Sequence, residues 1–472
     1  MTSVPSSIRD ARHVPPARGG SYPVRAGNAV QPLVDGEAAF RRICQAVESA
    51  SHSVWVTVAF LERDVPMPEG RGSFFDVLDR AAARGLDVRA LFWREPRFEE
   101  LEPDSEHFPG DTENRAWLAE RDSRFKARWD RHPEAYCHHQ KSWLVDAGQT
   151  SEVAFVGGIN LLRSSLVAAG HPPYDGPDDQ DHDLYVELRG PAATDVHHNF
   201  VQRWNEASER NSADGAWPSA GRSDAPDDLA FPTSASAEAG EVPVQVTRTI
   251  RAGLYANGAA TPGGEPFPIA EGEQSALEQY LAAIEAARSA VYIEDQVIGS
   301  PTLADALVPA LERGVEVVFL VPGNAHPAFV EARQNPRAAP LFQKLADLGL
   351  YENFTLAAIA GSRGDGRYEE IYVHAKIMLI DDAWATIGST NIAERSFRLD
   401  TELNASFWHA PTVHALRAAL LREHLAHDTS GLDAREALRF YASLARANAE
   451  RRAGGQPLEG LAYALDPETY GI

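Results

Sequence analysis

The chain has 472 residues and a formal net charge of −24 at pH 7, with 44% hydrophobic and 24% charged residues, a length and balance that allow two or three domains around sizeable cores. Such an acid excess excludes broad electrostatic docking on nucleic acid, which depends on Lys and Arg neutralising phosphates. Two cysteines, Cys44 and Cys137, exclude a disulfide framework and a thiolate metal cluster.

Residues 1–27, rich in Pro, Arg and Ser, lack the apolar stretch of a signal peptide and read as a flexible lead-in. No apolar run approaches the roughly 18 residues of a membrane span, so the expectation is a cytoplasmic protein, or a secreted one whose leader has been removed. Residues 28–207 read as a first domain. Strand 30–33, helix 37–50, strand 53–60, helix 73–84 and strand 87–92 alternate as in an α/β fold layered on a mixed sheet. Cys44 lies in the apolar pattern of the first helix and reads as core. An acidic stretch and a highly charged helix at about 114–131 follow, the latter expected as a solvated surface element.

The next stretch carries chemistry. It reads His-x-Lys-x-x-x-x-Asp at His139, Lys141 and Asp146, then an apolar run, then Gly157-Gly158-Ile159-Asn160. Cys137 beside it reads as filler. Residues 161–181, rich in Gly, Pro and Asp and containing His171 and Tyr174, lack the ligand spacing of a calcium loop and are expected to be a solvated loop. Strand 183–188 and helix 192–206 close this half.

Residues 208–241 read as a Ser, Ala, Gly, Asp and Pro linker. A second domain, 242–430, then repeats the order: strand 242–250, helix 275–288, strand 291–296, helix 303–313, strand 315–321, and a second His-x-Lys-x-x-x-x-Asp at His374, Lys376 and Asp381 with Gly388-Ser389-Thr390-Asn391 behind it. Helices 414–427 and 434–447 follow; the segment 431–472 ends in an expected loose tail.

Extended backbone puts residues i and i+2 on one face, so each His shares a face with its Lys while Gln140 and Ala375 point elsewhere. The chain has four lysines, Lys126, Lys141, Lys344 and Lys376, and half of them sit in these motifs. Two ammoniums and two Asn amides suit a doubly oxygenated anion such as a phosphodiester. Two imidazoles supply groups that titrate near neutrality, one to attack or deprotonate and one to protonate a leaving oxygen. Neither half is complete, so the halves must face each other across a pseudo-twofold axis. Asp146 and Asp381, at the far ends of their strands, read as structural anchors.

The duplicated motif with its Gly-Gly or Gly-Ser turn and Asn resembles the signature of the phospholipase D superfamily, over about residues 28–430. His182-Asp183 through Gly190-Pro191-Ala192, with Phe200, Arg203, Trp204 and Asn205, is similar to that family's HD…GPA…F..RWN segment. Residues 291–296, VYIEDQ, resemble its IYIE[ND]Q strand, and 395–402, RSFRLDTE, the tail of its cardiolipin-synthase-like members. This chain departs in having Asp295 where Asn is common and a longer gap between Asp146 and its turn than follows Asp381.

The resemblance implies two pseudo-symmetric halves, each a mixed β-sheet flanked by helices, with the active site at their interface. It implies cleavage through a phosphohistidine, with His139 as nucleophile and His374 as acid and base, a tie that sequence symmetry leaves open. Lys141, Lys376, Asn160 and Asn391 would hold the phosphate, and Asp183 and Glu402 would orient the imidazoles; His138, His182 and Asp400 read as polar support. No metal or other cofactor is expected, since the lysines and amides supply the charge a metal supplies elsewhere. The expected activity is that of a phospholipase D, releasing phosphatidic acid and a head-group alcohol with transfer to alcohols. The alternatives are a phosphatidyltransferase of cardiolipin-synthase type, favoured by the RSFRLDTE tail but without that group's N-terminal membrane helices, and a metal-independent nuclease or phosphodiesterase. The expected partners are a phospholipid met transiently at a membrane or micelle surface and water or a small alcohol as acceptor, not nucleic acid, and the chain is expected to be a monomer. Loops 94–136, 161–181 and 323–370 would set head-group and acyl preference.

Overall fold

Apolar runs such as SVWVTV and EVVFL are buried along their whole length, as strands covered on both faces require. The computed structural model describes residues 13–94, 108, 110–132, 136–173, 179–208, 227–363 and 367–472. Within them the first half runs β1 (Arg25–Val34), α1 (Gly36–Ser49), β2 (Ser53–Val58), α2 (Phe74–Ala83), β3 (Asp87–Arg94), α3 (Thr112–Glu120), β4 (Lys126–Arg131), β5 (Ser142–Val145), β6 (Val153–Gly157), β7 (Gln180–His182), β8 (Leu184–Arg189) and α4 (Ala193–Glu206). The second half runs β9 (Val242–Ile250), β10 (Glu273–Gln274), α5 (Ser275–Ala286), β11 (Ala290–Asp295), α6 (Pro301–Glu312), β12 (Glu316–Leu320), α7 (Pro327–Arg333), α8 (Ala339–Leu348), β13 (Phe354–Ser362), β14 (Tyr368–Val373), β15 (Lys376–Ile380), β16 (Trp384–Gly388), α9 (Glu394–Arg398), β17 (Glu402–Phe407), α10 (Ala410–Leu425), α11 (Ala434–Ala453) and β18 (Ala462–Ala464).

The duplication reaches strand order and direction. The first sheet is ordered β4-β3-β2-β5-β6-β8-β1, with β2, β3 and β4 parallel and the other neighbours antiparallel. The second is ordered β13-β12-β11-β15-β16-β17-β9 with the same parallel trio. β1 joins them, pairing with β8 along most of its length and with β9 at Arg25 and Asn28.

Strands β16 and β17 lie against β6 and β8, and one apolar layer fills the space between. It draws Leu144, Val156, Leu184 and Val186 from the first half and Ile377, Leu379, Ile387 and Leu403 from the second. The outer faces carry separate cores, Phe40, Ile43, Phe74 and Leu78 under α1 and α2, and Ile284, Leu303, Leu307 and Leu345 under α5, α6 and α8. The molecule is therefore mixed α/β, with helix layers outside two facing sheets.

Several readings need correction, that of the solvated loop 161–181 among them, since Ser165, Val167 and His171 are buried. Residues 126–131 are a parallel strand beside β3, not helix: Ala127 and Trp129 turn inward between charged neighbours, a period of two hidden by the charge density. Residues 13–24 of the supposed lead-in are tied to the second half. Trp408 Nε1 donates to Val14 O at 2.8 Å, Ala17 N donates to Gln279 Oε1 at 2.8 Å, and Val14 and Tyr22 are buried; residues 1–12 lie outside the described part. In the proposed linker, Asp227 pairs with Arg89 and Lys126, at 2.7 Å each, while 209–226 lie outside the described residues. The tail is docked, with β18 paired to β13 and Tyr470 Oη donating to Pro322 O at 2.9 Å.

Candidate active site

Each motif begins just before a central strand, and its backbone is held by the opposite half. His139 N donates to Thr401 O at 3.0 Å, and Thr401 N donates to Cys137 O at 3.0 Å. In the second motif, β14 runs parallel to β7, and His374 N and Ala375 N both donate to His182 O at 2.9 Å. Two equivalent parallel crossings therefore put each His beside the segment that carries the other half's acid.

The side chains follow the backbone. His139 Nδ1 lies 3.0 Å from Glu402 Oε2 and 3.0 Å from Ser389 O, while His374 Nδ1 lies 2.6 Å from Asp183 Oδ2. Each imidazole is thus oriented by a carboxylate of the other half. Asn160 completes the exchange, its Nδ2 3.4 Å from His374 Nε2. The small residues of the two turns are matched to the acids. A Cβ on Gly158 would stand 2.5 Å from Asp183 Oδ1, whereas Ser389, its counterpart, donates its hydroxyl to Glu402 Oε2 at 2.6 Å.

The lysines rise beside the imidazoles. Lys141 Nζ donates to His139 O at 2.9 Å, and Lys376 Nζ donates to His374 O and reaches Gln296 Oε1 at 3.4 Å. Burial, then repulsion from Lys376, pushes the Lys141 ammonium down to about 8. Burial lowers Lys376 as well, against the carboxylates of Asp183 and Asp295. Both imidazoles are held well below their ordinary range by burial and then by both ammoniums. The two ammoniums and two imidazoles therefore lie within Coulomb range of one another. Burial raises Asp183 and Glu402 to about 7, opposed by Lys376 and Lys141 respectively.

Asn391 Oδ1 and Asn160 Oδ1 are buried with no hydrogen-bond partner among the described residues, and both amides stand at the ends of the motif turns. Other residues support these groups, Asp295 as the sequence reading of its strand as site floor expects and the rest without a role assigned from sequence. Asp295 accepts from Ile392 N at 2.9 Å and so ties the second turn to β11. Gln140, facing away from the site, accepts from Asn199 Nδ2 at 2.8 Å and from Arg203 Nη1 at 3.4 Å, which gives the buried Arg of the RWN segment a purpose behind the first motif. Phe60 packs edge-on to His139 with ring centroids 6.1 Å apart, and Tyr372 lies 6.3 Å from His374. Pattern alone gave no signal for these two, because single aromatics at strand ends are ordinary.

Asp146 and Asp381 stand away from the reacting groups. Asp146 Oδ1 accepts from the N–H groups of Ser51, His52 and Ser53, and Asp381 accepts from those of Arg288, Ser289 and Ala290. Each fixes the entry of a central strand. Asp381→Ala would leave three backbone donors without their acceptor, so the unfolding free energy from urea melts is expected to fall by about 3 kcal/mol. Burial would raise the Asp381 pKa, but His13, Ser289 and the backbone donors outweigh it and leave it below the ordinary value. The stability it contributes is therefore present above the ordinary carboxylate range and lost as pH falls through its lower folded pKa, a slope the variant should lack.

Residues 280–423 match the family model described as "Cardiolipin synthase, PLD-like domain", and residues 167–305 the one described as "Phospholipase D". Among curated proteins the chain is 25% identical over 458 residues to phospholipase D A of Dictyostelium discoideum, covering 81% of this chain and 33% of that protein. It is 23% identical over 399 residues to a cardiolipin synthase of Listeria welshimeri, covering 84% and 69%, and 25% identical to phospholipase D beta 2 of Arabidopsis thaliana, covering 82% and 56%. The chain thus spans a third to two thirds of these relatives' lengths. Among solved structures, the phosphatidylserine synthase of Haemophilus influenzae superposes with a TM-score of 0.55 at 13% identity, over 89% of this chain and 90% of that one, a likeness of fold.

Proposed function

The chain belongs to the phospholipase D superfamily, whose chemistry is performed on phosphodiesters, and from that premise we propose that it is a phospholipase D releasing phosphatidic acid and a head-group alcohol from glycerophospholipids. The observation that supports this most is the crossed pairing of His139 with Glu402 and of His374 with Asp183. It ties each half-motif to the acid of the other half, and with each Nδ1 held by a carboxylate the Nε2 atoms are the ones left for chemistry.

In the first step His139 Nε2 attacks phosphorus while the bond to the head-group oxygen breaks, and that oxygen takes the proton of His374 Nε2. Glu402 keeps the Nδ1 proton of His139 in place, so Nε2 presents its lone pair. In the second step His374 takes a proton from water or an alcohol, whose oxygen attacks phosphorus as the phosphorus–nitrogen bond breaks. Lys141, Lys376, Asn160 and Asn391 hold the nonbridging oxygens and stabilise the added charge of the transition state. The substrate sets the protonation state it needs: a bound phosphate anion offsets the two ammoniums that hold the imidazoles low, which lets His374 carry a proton.

A phosphatidyltransferase is the second reading, favoured by the matches to cardiolipin synthases and by the RSFRLDTE tail. The described residues hold no helix long and apolar enough to cross a membrane. Purified protein incubated with vesicles of phosphatidylcholine or phosphatidylglycerol, or with single-stranded DNA, with and without ethanol, separates the readings. Choline and phosphatidic acid, joined by phosphatidylethanol when ethanol is present, are expected. Glycerol release with cardiolipin and no phosphatidic acid would assign the transferase, and cleavage of DNA alone would overturn both.

The lysine pair makes pH part of the test. Lys141 binds anions only as the ammonium, and its pKa in the free site is about 8, so kcat/KM is expected to fall as pH rises through that value. Lys141→Arg, at lower overall activity, should move this alkaline limb up by more than about one pH unit, because guanidinium stays protonated.

A further inference from the structure

One buried cluster takes no part in this chemistry. Asp35, at the turn from β1 into α1, places Oδ1 2.9 Å from His182 Nδ1. His171 Nε2 lies 3.3 Å from the same nitrogen, 3.6 Å from Asp35 Oδ1 and 3.7 Å from Glu423 Oε1. His171, His182 and Asp35 have fully buried side chains, and that of Glu423, on α10, is 9% exposed. The stretch around His171, read from sequence as a solvated loop, therefore turns its imidazole into the protein; Tyr174 lies outside the described residues.

Carboxylates in a dry space need a positive charge beside them, either an imidazolium or a bound cation. The hydrogen bonding is incomplete without one. Among the described residues Asp35 Oδ2 is buried with only the Glu423 carboxyl beside it, which can donate only by holding a proton, and His171 has the Gln180 side chain as its one further neighbour. The surroundings are those of a ligand set. His182 Nε2, on the far side of the ring, lies 3.2 Å from Glu294 Oε2, and Tyr292 Oη donates to Glu294 Oε1 at 2.7 Å. A metal-binding imidazole is usually fixed by a carboxylate in just this position.

We propose that Asp35, His171, His182 and Glu423 form a binding site for a divalent transition metal, zinc foremost, that ties the two halves together. Zinc bonds of about 2.0–2.1 Å to nitrogen and oxygen set tetrahedral edges of about 3.4 Å, and the four separations above, 2.9 to 3.7 Å, bracket that edge. Imidazole with carboxylate is a donor set zinc accepts. The site is structural: His182 O holds the backbone of His374, and the next residue, Asp183, orients its ring, but none of the four ligands is among the residues assigned to attack or hold the phosphate.

Full-length protein, stripped with chelator, reloaded with zinc chloride and desalted, is expected to hold about one zinc per chain by mass spectrometry, against less than about 0.1 for His171→Ala and for Glu423→Gln. The His139→Ala/His374→Ala double variant should keep its zinc. Glu423→Gln preserves shape at a partly exposed position, so far-UV circular dichroism should show it folded even where His171→Ala is not. Cobalt loading should give the visible bands of a tetrahedral nitrogen–oxygen site in wild type. Less than about 0.1 zinc per wild-type chain, or zinc that survives Glu423→Gln but is lost with the two motif histidines, would overturn the proposal. So would anomalous scattering at the zinc edge that peaks away from these four residues.

Discussion

His139→Ala is expected to lower kcat by at least about 10⁴-fold with little change in lipid binding, because it removes the atom that forms the covalent bond. His374→Ala should be as damaging on phosphatidylcholine, whose leaving alkoxide needs a proton, but should slow the first step much less on a phosphatidyl ester of p-nitrophenol, which leaves unprotonated. With that substrate the first step proceeds in His374→Ala while the second, which needs a base for water, is slowed. A phosphatidyl-enzyme should then accumulate. Its phosphorus–nitrogen bond withstands alkali and breaks in acid, so an alkaline quench followed by peptide mapping should place the adduct on His139, with none in His139→Ala. An adduct on His374 of the His139→Ala protein would exchange the two roles; no adduct in either would remove the covalent step.

The duplicated architecture was legible because a repeated polar skeleton on apolar strands is a pattern in one dimension: His139, Lys141 and Asn160 have counterparts at His374, Lys376 and Asn391, and the strands around them keep their order. Where charge masked a strand period, as at 126–131, the pattern misled. The docked terminal segments escaped notice for another reason. Val14, Tyr22 and Tyr470 are isolated apolar residues in Pro- and Gly-rich chain, and their burial depends on grooves made by residues hundreds of positions away. The same holds for His171, whose partners Asp35, His182 and Glu423 come from three separate elements. The acids Asp183 and Glu402 could be nominated from sequence, but not matched to a ring, since the pairing is set by how the sheets face each other. Gly158 and Ser389 held a clue in retrospect: a position that must be Gly beside one acid and can be Ser beside the other marks where each carboxylate lies.

That pairing is open to direct measurement. Glu402→Gln should lower kcat by about 10²–10⁴-fold, since an amide can hold the ring but cannot stabilise an imidazole carrying positive charge, and its N–H donates to Nδ1 and so favours the wrong tautomer. Asp183→Asn should do the same through His374. Had each acid served the His of its own half, Glu402→Gln would be silent in a protein already lacking His374, and Asp183→Asn silent in one lacking His139. The crossed geometry, with Glu402 Oε2 3.0 Å from His139 and Asp183 Oδ2 2.6 Å from His374, requires the reverse. Double-mutant cycles should give strong non-additivity for 139 with 402 and for 374 with 183, because removing a ring leaves its acid nothing to orient. On the p-nitrophenyl ester the cycle gains resolution. In the burst of p-nitrophenol, which reports the first step alone, Asp183→Asn, acting on the leaving-group acid, should lose most of its effect, whereas Glu402→Gln, acting on the attacking nitrogen, should keep it. Equal sensitivity of both variants to the leaving group would break the link between each carboxylate and its ring.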